Sequence, residues 1–218
     1  MSSNRSQWIN FAMVILPLSA VVLLAACATV NPKHPQLMTG ALTADQKAQV
    51  AAVYFIRPEA YKTKGIANDA VRIDFQEQPL LTQEEGNYTL LYLKPSKGLI
   101  KIHSKTKFIN DKLPVDVWRS REYKFIAGKT YFIYVRQINE EFRGVFYEPE
   151  PVSLREAKEL IVPGEGRYGS TRASGAARSA PIDKLTEVDA PPASAVKALT
   201  PALPENIYKQ EKYLHQVR

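Results

Sequence analysis

The side chains of this sequence that could act as nucleophiles, general bases or metal ligands are few and widely separated. The chain has one cysteine, Cys27, and three histidines, His34, His103 and His215. No two of these four residues have the spacing of a zinc-binding motif. The sequence also contains no glycine-rich phosphate loop, no nucleophilic serine elbow and no His-Glu-x-x-His motif. We therefore expect no catalytic residue, no bound cofactor and no metal site.

A few charged residues could still do chemistry if the fold brought them together. The adjacent acids at 84–85 and at 140–141 are candidate paired carboxylates for hydrolysis. Neighbouring acids between predicted strands are, however, typical of solvated turns. Arg57 is more unusual, because it ends an otherwise apolar stretch just before Pro58. A salt bridge at the end of a strand is the simplest interpretation of this arginine.

The chemistry of Cys27 follows from the segment that precedes it. Residues 1–7 carry Arg5 and no acid, and residues 8–26 are uncharged and mainly apolar. Two small residues, Ala25 and Ala26, come directly before the cysteine. This layout is typical of a secretory signal. A thiol is a strong nucleophile and therefore a suitable group for receiving a lipid.

The sequence Leu24-Ala25-Ala26-Cys27 resembles the lipobox of bacterial lipoproteins. The resemblance implies that residues 1–26 are a signal peptide that is removed. It also implies that Cys27 is the lipidation site, carrying a diacylglyceryl group and an acylated amine with chains such as palmitate. Each buried methylene contributes about 0.8 kcal/mol, so two or more chains anchor a protein stably. We therefore expect the mature protein to remain on a membrane.

Two other interpretations of the N-terminal segment are open. The apolar run at 8–26 is long enough to be an uncleaved membrane anchor, with Pro17 tolerated as a kink and Cys27 an incidental thiol. It could also be a core helix of a cytosolic protein. The run lacks the amphipathic stripe that such a helix would show, which weakens the second interpretation.

The residues after Cys27 bear on where the protein is sorted. Residues 27–50 are polar and interrupted by prolines and Gly40, so we expect the lipidated cysteine to be followed by a flexible tether. Ala28 is not the aspartate that resembles an inner-membrane retention signal. The expected location is therefore the outer membrane of a bacterial envelope, facing the periplasm, with the inner membrane as the alternative.

Composition narrows the remaining classes. The chain has 218 residues and is 45% hydrophobic, which is enough for a folded core. Its net charge of +7 is spread along the chain among acids, without the concentrated basic stripe of a nucleic-acid-binding protein. We therefore expect no nucleic-acid partner. A single cysteine also rules out an intramolecular disulfide.

Residues 51–162 have the pattern of an antiparallel β-sandwich. The stretch at 51–57 is apolar on both faces, as in a central strand, whereas the stretch at 71–76 alternates and predicts a half-buried strand. Turn residues separate these stretches from the ones that follow. Further strands are predicted at 87–93, 99–105, 115–118, 122–126, 130–138 and 144–149.

One hairpin and one short helix complete the predicted domain. The sequence at 122–135 predicts a β-hairpin in which Gly128 supplies a positive φ and aromatic residues pair across the strands. The sequence at 153–161 predicts a helix with Ser153 as N-cap and Glu156 completing a capping box. We expect this helix to cover an edge or one end of the sandwich.

The runs VYFIRPEAYKTKG, EGNYTLLYLKPSKGLIKI and AGKTYFIYV resemble the DUF2846 family, a small β-domain of unknown function common in bacterial lipoproteins. The resemblance covers about residues 50–162. Two motifs depart from the family pattern: IDFQEQP replaces a tighter Asp-Gly turn, and PSKG replaces an adjacent Pro-Gly. The resemblance implies a transthyretin-like or immunoglobulin-like sandwich and assigns no catalytic residues.

The C-terminal part of the sequence has a different composition. Residues 163–199 are rich in Ala, Ser, Gly and Pro, which predicts a disordered linker. The motif GEGRYG at 164–169 falls in this linker and lacks the preceding strand of a dinucleotide-binding fingerprint. Residues 200–218 regain helical periodicity and form a possible short amphipathic helix, either a docking segment or a frayed end.

Two classes of function are consistent with these observations. The first is a lipid-anchored, non-enzymatic envelope protein that scaffolds or docks an envelope assembly, with another envelope protein or the cell wall as partner. The alternative is a ligand-binding or hydrolytic module for envelope glycans or peptides, whose tyrosine-rich strands would offer a stacking platform. A concave site with converging polar groups would favour the alternative.

Overall fold

A computed structural model of the chain describes residues 28–59, 69–106, 113–140, 144–163 and 169–186. These residues form two β-sheets that pack face to face, with two short α-helices, α1 (Ala44–Ala48) and α2 (Leu154–Ile161). Two 3₁₀ helices span Ala176–Arg178 and Ile182–Lys184. The strands are β1 (Thr29–Val30), β2 (Leu37–Met38), β3 (Ala51–Arg57), β4 (Val71–Phe75), β5 (Gln78–Gln83), β6 (Asn87–Leu93), β7 (Ser96–Thr106), β8 (Val115–Phe125), β9 (Thr130–Glu140), β10 (Gly144–Val152) and β11 (Arg172–Gly175).

The first sheet has the strand order β1-β5-β4-β7-β8, and the second has the order β10-β9-β3-β6-β11 with β2 added beside β6. Most neighbouring strands are antiparallel, but β3 pairs in parallel with β9 and β11 pairs in parallel with β6. The expected mainly-β sandwich with one short helix is therefore confirmed. Its second sheet is mixed, because the pairs β3–β9 and β6–β11 are parallel and the others are antiparallel.

Alternating residues of both sheets build the main core between them. The central strand β3 contributes Val53 and Phe55, and strands of the first sheet contribute Ile73 and Ile102, all fully buried. Period-two alternation places these side chains on the inner faces. The prediction that 51–57 is a central, doubly buried strand is confirmed, because the outward-facing Tyr54 is buried as well.

The outer face of the second sheet is covered by α2 and the 3₁₀ helices. Leu154, Ala157 and Leu160 of α2 pack against strand residues such as Tyr54 and Phe132. The capping box is confirmed: Ser153 Oγ accepts from the Glu156 backbone N–H, and the Glu156 carboxylate accepts from the Ser153 N–H. The helix was expected to cover an edge or one end of the sandwich. It covers the face instead, because its apolar stripe needs an apolar surface of similar length.

The hairpin expected at 122–135 does not form. β8 ends the first sheet and β9 lies in the second, so the connection between them crosses from one sheet to the other. Gly128 does take a positive φ, of 67°. The aromatic residues pack across the core rather than along a ladder: the rings of Phe125 and Tyr131 meet edge-on, 5.1 Å between centroids.

A two-residue turn that the sequence did not predict joins β4 to β5. Gln76 and Glu77 have φ values of 51° and 63°, in the left-handed region. Positive φ at both central residues is typical of a type I′ hairpin, in which glycine and asparagine are preferred. Gln76 and Glu77 thus occupy two positions at which the backbone favours glycine or asparagine.

Residues 28–50 pack on the sandwich rather than forming the expected tether. β1 pairs with β5 of the first sheet, and β2 pairs with β6 of the second. His34 lies between them and is buried. Composition suggested a tether because the segment is polar, but its few apolar side chains, including Val30 and Leu37, contact the core.

The linker expected at 163–199 is likewise structured over part of its length. β11 adds a strand beside β6, and Thr89 and Ser174 hydroxyls from these strands lie 2.6 Å apart in a buried hydrogen bond. Ala177 and Ile182 are fully buried. The folded unit therefore extends to at least residue 186. Cys27, the predicted signal peptide at 1–26 and the predicted helix at 200–218 lie outside the described residues.

Candidate functional site

The outer face of the first sheet carries a group of polar and aromatic side chains that alternate with core residues. Arg72 and Asp74 come from β4, Lys101 and His103 from β7, and Trp118 from β8. The register places Arg72, His103 and Trp118 in one row across three strands. We refer to these five residues as the polar face.

The centre of the polar face is a buried carboxylate beside a histidine. Asp74 is 5% exposed, and its Oδ2 lies 2.8 Å from Nε2 of His103. At this distance the carboxylate and the imidazole are in direct polar contact. Burial by itself raises the pKa of the Asp74 carboxyl, yet His103 and Arg72 together hold that pKa below its usual value.

The remaining members of the polar face are cations held against acids and against the indole. Arg72 Nε lies 3.1 Å from Asp74 Oδ1. Lys101 Nζ lies 2.6 Å from Glu77 Oε2 and 6.0 Å from the centroid of the Trp118 ring. The ring of His103 is tilted against the same indole, with centroids 5.9 Å apart. Trp118 thus contacts two side chains of the neighbouring strand β7.

This arrangement contains part of a catalytic site together with residue types that are common in recognition surfaces. A histidine beside a carboxylate is the pair that orients a general base, but nucleophilic catalysis also needs a nucleophile in reach. The other members of the polar face around His103 are the Asp74 carboxylate, the cations of Arg72 and Lys101, and the Trp118 indole. Tryptophan and arginine, by contrast, are the residue types most enriched among those that dominate protein interfaces.

A second polar cluster lies inside the sandwich, around Arg57 at the end of β3. The guanidinium is 1% exposed. Nη1 donates to the Gln83 carbonyl at 2.8 Å, and Nη2 donates to the Tyr147 hydroxyl at 3.2 Å. The guanidinium also stacks 4.8 Å above the Tyr147 ring centroid. Burial raises the pKa of the Tyr147 hydroxyl, even though the nearby Arg57 charge acts in the opposite direction.

Gln83 extends this interior cluster across the two sheets. Its Nε2 donates to the Phe55 carbonyl at 3.0 Å and to the Asn87 carbonyl at 2.8 Å. Gln83 belongs to the first sheet, whereas Phe55 and Asn87 belong to the second. The cluster therefore joins the sheets at one end of the sandwich, a structural role in which a backbone carbonyl and a phenol oxygen accept hydrogen bonds from the buried cation.

His34 is the third buried polar group, and it holds the N-terminal segment in place. Its Nδ1 accepts from the Gln36 backbone N–H at 3.2 Å, so Nε2 carries the proton and donates to the Phe75 carbonyl at 3.1 Å. The imidazole also stacks on the Phe75 ring. Both nitrogens are thus engaged by the protein in the neutral form.

The candidate residues from the sequence are only partly brought together. Glu84 and Glu85 lie in the turn between β5 and β6, whereas Cys27, His215, Glu141 and the side chain of Glu140 lie outside what the structure describes. Within the described ranges, no group of three or more His, Cys, Asp or Glu side chains could hold a metal ion. In the same part of the chain no helix is long and apolar enough to cross a membrane.

Of the seven tyrosines in the described part of the chain, five are internal, and Tyr92 and Tyr134 are partly exposed. Tyr54, Tyr88, Tyr123, Tyr131 and Tyr147 are all buried. Burial is also what raises the pKa of the Tyr123 hydroxyl, which donates to the Pro149 carbonyl. These rings therefore build the two cores and offer no surface to a ligand.

Sequence reasoning missed Asp74 and Trp118 as partners of His103. Each residue is visible as the polar or aromatic member of an alternating strand, so its face could be assigned. The sequence does not show, however, which strands lie side by side, so it could not bring these residues together.

Comparison of this chain with protein-family models, with curated proteins and with solved structures finds no match.

Proposed function

We propose that this protein is a lipid-anchored, non-enzymatic component of a bacterial cell envelope that docks a protein partner on the periplasmic side. The observation that carries the proposal is the sequence Leu24-Ala25-Ala26-Cys27 at the end of an apolar segment. Lipidation of Cys27 would attach the sandwich to a membrane with more than one acyl chain. Because Ala28 is not aspartate, we propose the outer membrane, with the inner membrane as the alternative location.

The polar face supports the docking part of the proposal. It combines a tryptophan and an arginine, two residue types that are enriched in protein interfaces, with charges of both signs. Its cations are held by Asp74 and Glu77, so the side chains are ordered before a partner arrives. Such preorganisation lowers the entropy cost of binding. The occupant that we propose is therefore a protein surface of mixed charge.

The anchor is tested by metabolic labelling with an alkyne fatty acid. The wild-type chain and the control Thr29→Ser, which keeps the thiol, are expected to be labelled. Cys27→Ser is expected to lose the label and to accumulate as a precursor that retains residues 1–26. Equal labelling of Cys27→Ser would refute lipidation at this residue, and an unlabelled wild-type chain would refute the lipoprotein proposal altogether.

The docking face is tested by site-specific photocrosslinking in intact cells. A photoreactive residue at the exposed Lys105, beside His103 on β7, is expected to give one discrete protein adduct. The same residue at Arg155, exposed on α2, is the control and is expected to give none. Trp118→Ala should abolish the adduct from position 105. Adducts of equal yield from both positions would refute docking through the polar face.

The hydrolytic alternative has its own signature. Purified protein would convert an envelope glycan or peptide, and Glu84→Gln would remove that turnover. The exposed carboxylate Glu159→Gln is the matched control. Turnover that depends on Glu84 but not on Glu159 would overturn the docking proposal.

A further inference from the structure

The chain enters the sandwich at one end, and that end can be identified from the strand registers. Thr29 pairs with Thr82 near the end of β5, so Ala28 lies beside the point where β5 leads into β6. β7 ends and β8 begins at this same end, with Thr106 opposite Val115. We call it the entry end. The β8–β9 connection, which contains Ile126, lies at the opposite end.

Little chain separates the entry end from Cys27. Ala28 already contacts the core and Thr29 is already in a ladder. Consecutive Cα atoms are about 3.8 Å apart, so the modified cysteine lies within one residue of the folded domain. An apolar segment left uncleaved would end at Ala26 and impose nearly the same restraint. The bilayer surface must therefore lie close to the entry end.

Two large apolar side chains at the entry end are exposed to solvent. Leu113, two residues before β8, is 76% exposed, and Val162, directly after α2, is 57% exposed. α2 reaches this end because Thr171 Oγ1 donates to the Leu160 carbonyl, and the Arg172 N–H donates to the Gly86 carbonyl. Glu59, Asp69, Glu84 and Glu85 lie at this end as well. Because acids are not attracted to anionic lipid, contact between this end and a bilayer would depend on the apolar side chains.

We infer that the entry end rests on the lipid bilayer, with Leu113 and Val162 at the boundary between headgroups and acyl chains. This inference rests on the membrane anchor of the proposed function. The strands then point away from the membrane, and β7, with 11 residues, spans about 35 Å in that direction. The polar face stands roughly perpendicular to the bilayer, where a partner can approach it from the side.

The test uses full-length variants that each contain a single tryptophan, at either the entry end or the opposite end of the sandwich. Trp8→Phe and Trp118→Phe remove the natural indoles, and Leu113→Trp, Val162→Trp or Ile126→Trp adds one. Ile126, at 44% exposure, is the matched apolar control at the far end. Each protein is purified from membranes with its anchor and reconstituted into phosphatidylcholine vesicles that contain brominated phosphatidylcholine, and circular dichroism verifies the fold.

Bromine should reduce the emission at positions 113 and 162 about twofold and leave position 126 unchanged, because only side chains in the lipid boundary meet the quencher. Quenching of position 126 as strong as that of 113, or no quenching anywhere, would overturn the inference. A flexible Gly/Ser insert of about twelve residues between Cys27 and Ala28 adds a reach of about 20 Å and should remove the quenching. Undiminished quenching would refute the role of the short connection.

Mass spectrometry of the same preparations separates the two proposals. Absence of acyl groups on Cys27 would refute the lipid anchor, while the quenching pattern would still report orientation for an uncleaved segment. An acylated protein with position 126 quenched would keep the anchor and refute the orientation.

Discussion

Nε2 of His103 on β7 lies 2.8 Å from Oδ2 of Asp74 on β4, and the Arg72 guanidinium contacts the other oxygen of the same carboxylate. One buried acid thus holds two basic side chains on the outer face of the first sheet. Removing the acid would leave both without their shared partner, which makes Asp74 the natural residue for testing how this face is ordered.

Asp74→Asn should destabilise the fold by about 1–2 kcal/mol at pH 7, because a buried carboxylate loses its salt bridge with Arg72 and its polar contact with His103. The folded pKa of Asp74 lies below the unfolded value of about 3.9, so its stabilisation is complete above about pH 4 and is lost as the pH falls through the folded pKa. Urea unfolding at pH 7, 5 and 3 should show the difference from wild type shrinking at pH 3. The exposed Asp116→Asn is the control, and a difference independent of pH would contradict the ion-pair interpretation.

Arg57→Lys should destabilise the domain by about 2 kcal/mol, because an ammonium cannot reproduce the fork that bonds the Gln83 carbonyl and the Tyr147 hydroxyl while stacking on the ring. Tyr147→Phe, which keeps the ring and removes one acceptor, should cost about half as much. Thermal unfolding of both variants and of the wild type measures the order of their stabilities. Equal stability of Arg57→Lys and wild type would show that the fork geometry is unimportant.

His34→Ala should destabilise the fold by about 2–3 kcal/mol and make residues 28–38 sensitive to protease, because it removes two buried hydrogen bonds and a ring contact. The exposed neighbour Lys33→Ala is the control and should behave as wild type. Thermal unfolding and timed proteolysis with mass mapping provide the readouts. A segment that acted as a tether would be cut equally fast in all three proteins.

Glu77→Gly should raise the free energy of unfolding by about 0.5 kcal/mol. Relief of the left-handed conformation at φ 63° contributes about 1 kcal/mol, and loss of the exposed ion pair with Lys101 offsets about half of that. Glu77→Gln, which loses the charge but keeps the strained backbone, should be slightly less stable than wild type. Chemical denaturation ranks the three proteins, and a glycine variant less stable than the glutamine variant would contradict the strain argument.

Local patterns in the sequence were sufficient for elements whose signals lie within a few residues. The capping box of Ser153 and Glu156, the doubly apolar strand at 51–57 and the positive φ of Gly128 are each determined by neighbouring residues, and each is confirmed. The mainly β class follows from the same short-range alternation. The lipobox-like motif before Cys27 is also local, and it remains a prediction.

The tertiary structure decided every relationship that depends on which strands lie side by side. β8 and β9 were predicted to form a hairpin because they are consecutive and aromatic, yet they lie in different sheets, and Phe125 and Tyr131 meet across the core. Composition could not show that polar residues 28–50 and 169–186 add strands, because backbone hydrogen bonds to open sheet edges are available to any sequence. Asp74, His103 and Trp118 form one site only because the register aligns β4, β7 and β8, and register is set by the burial of the opposite face rather than by these residues themselves.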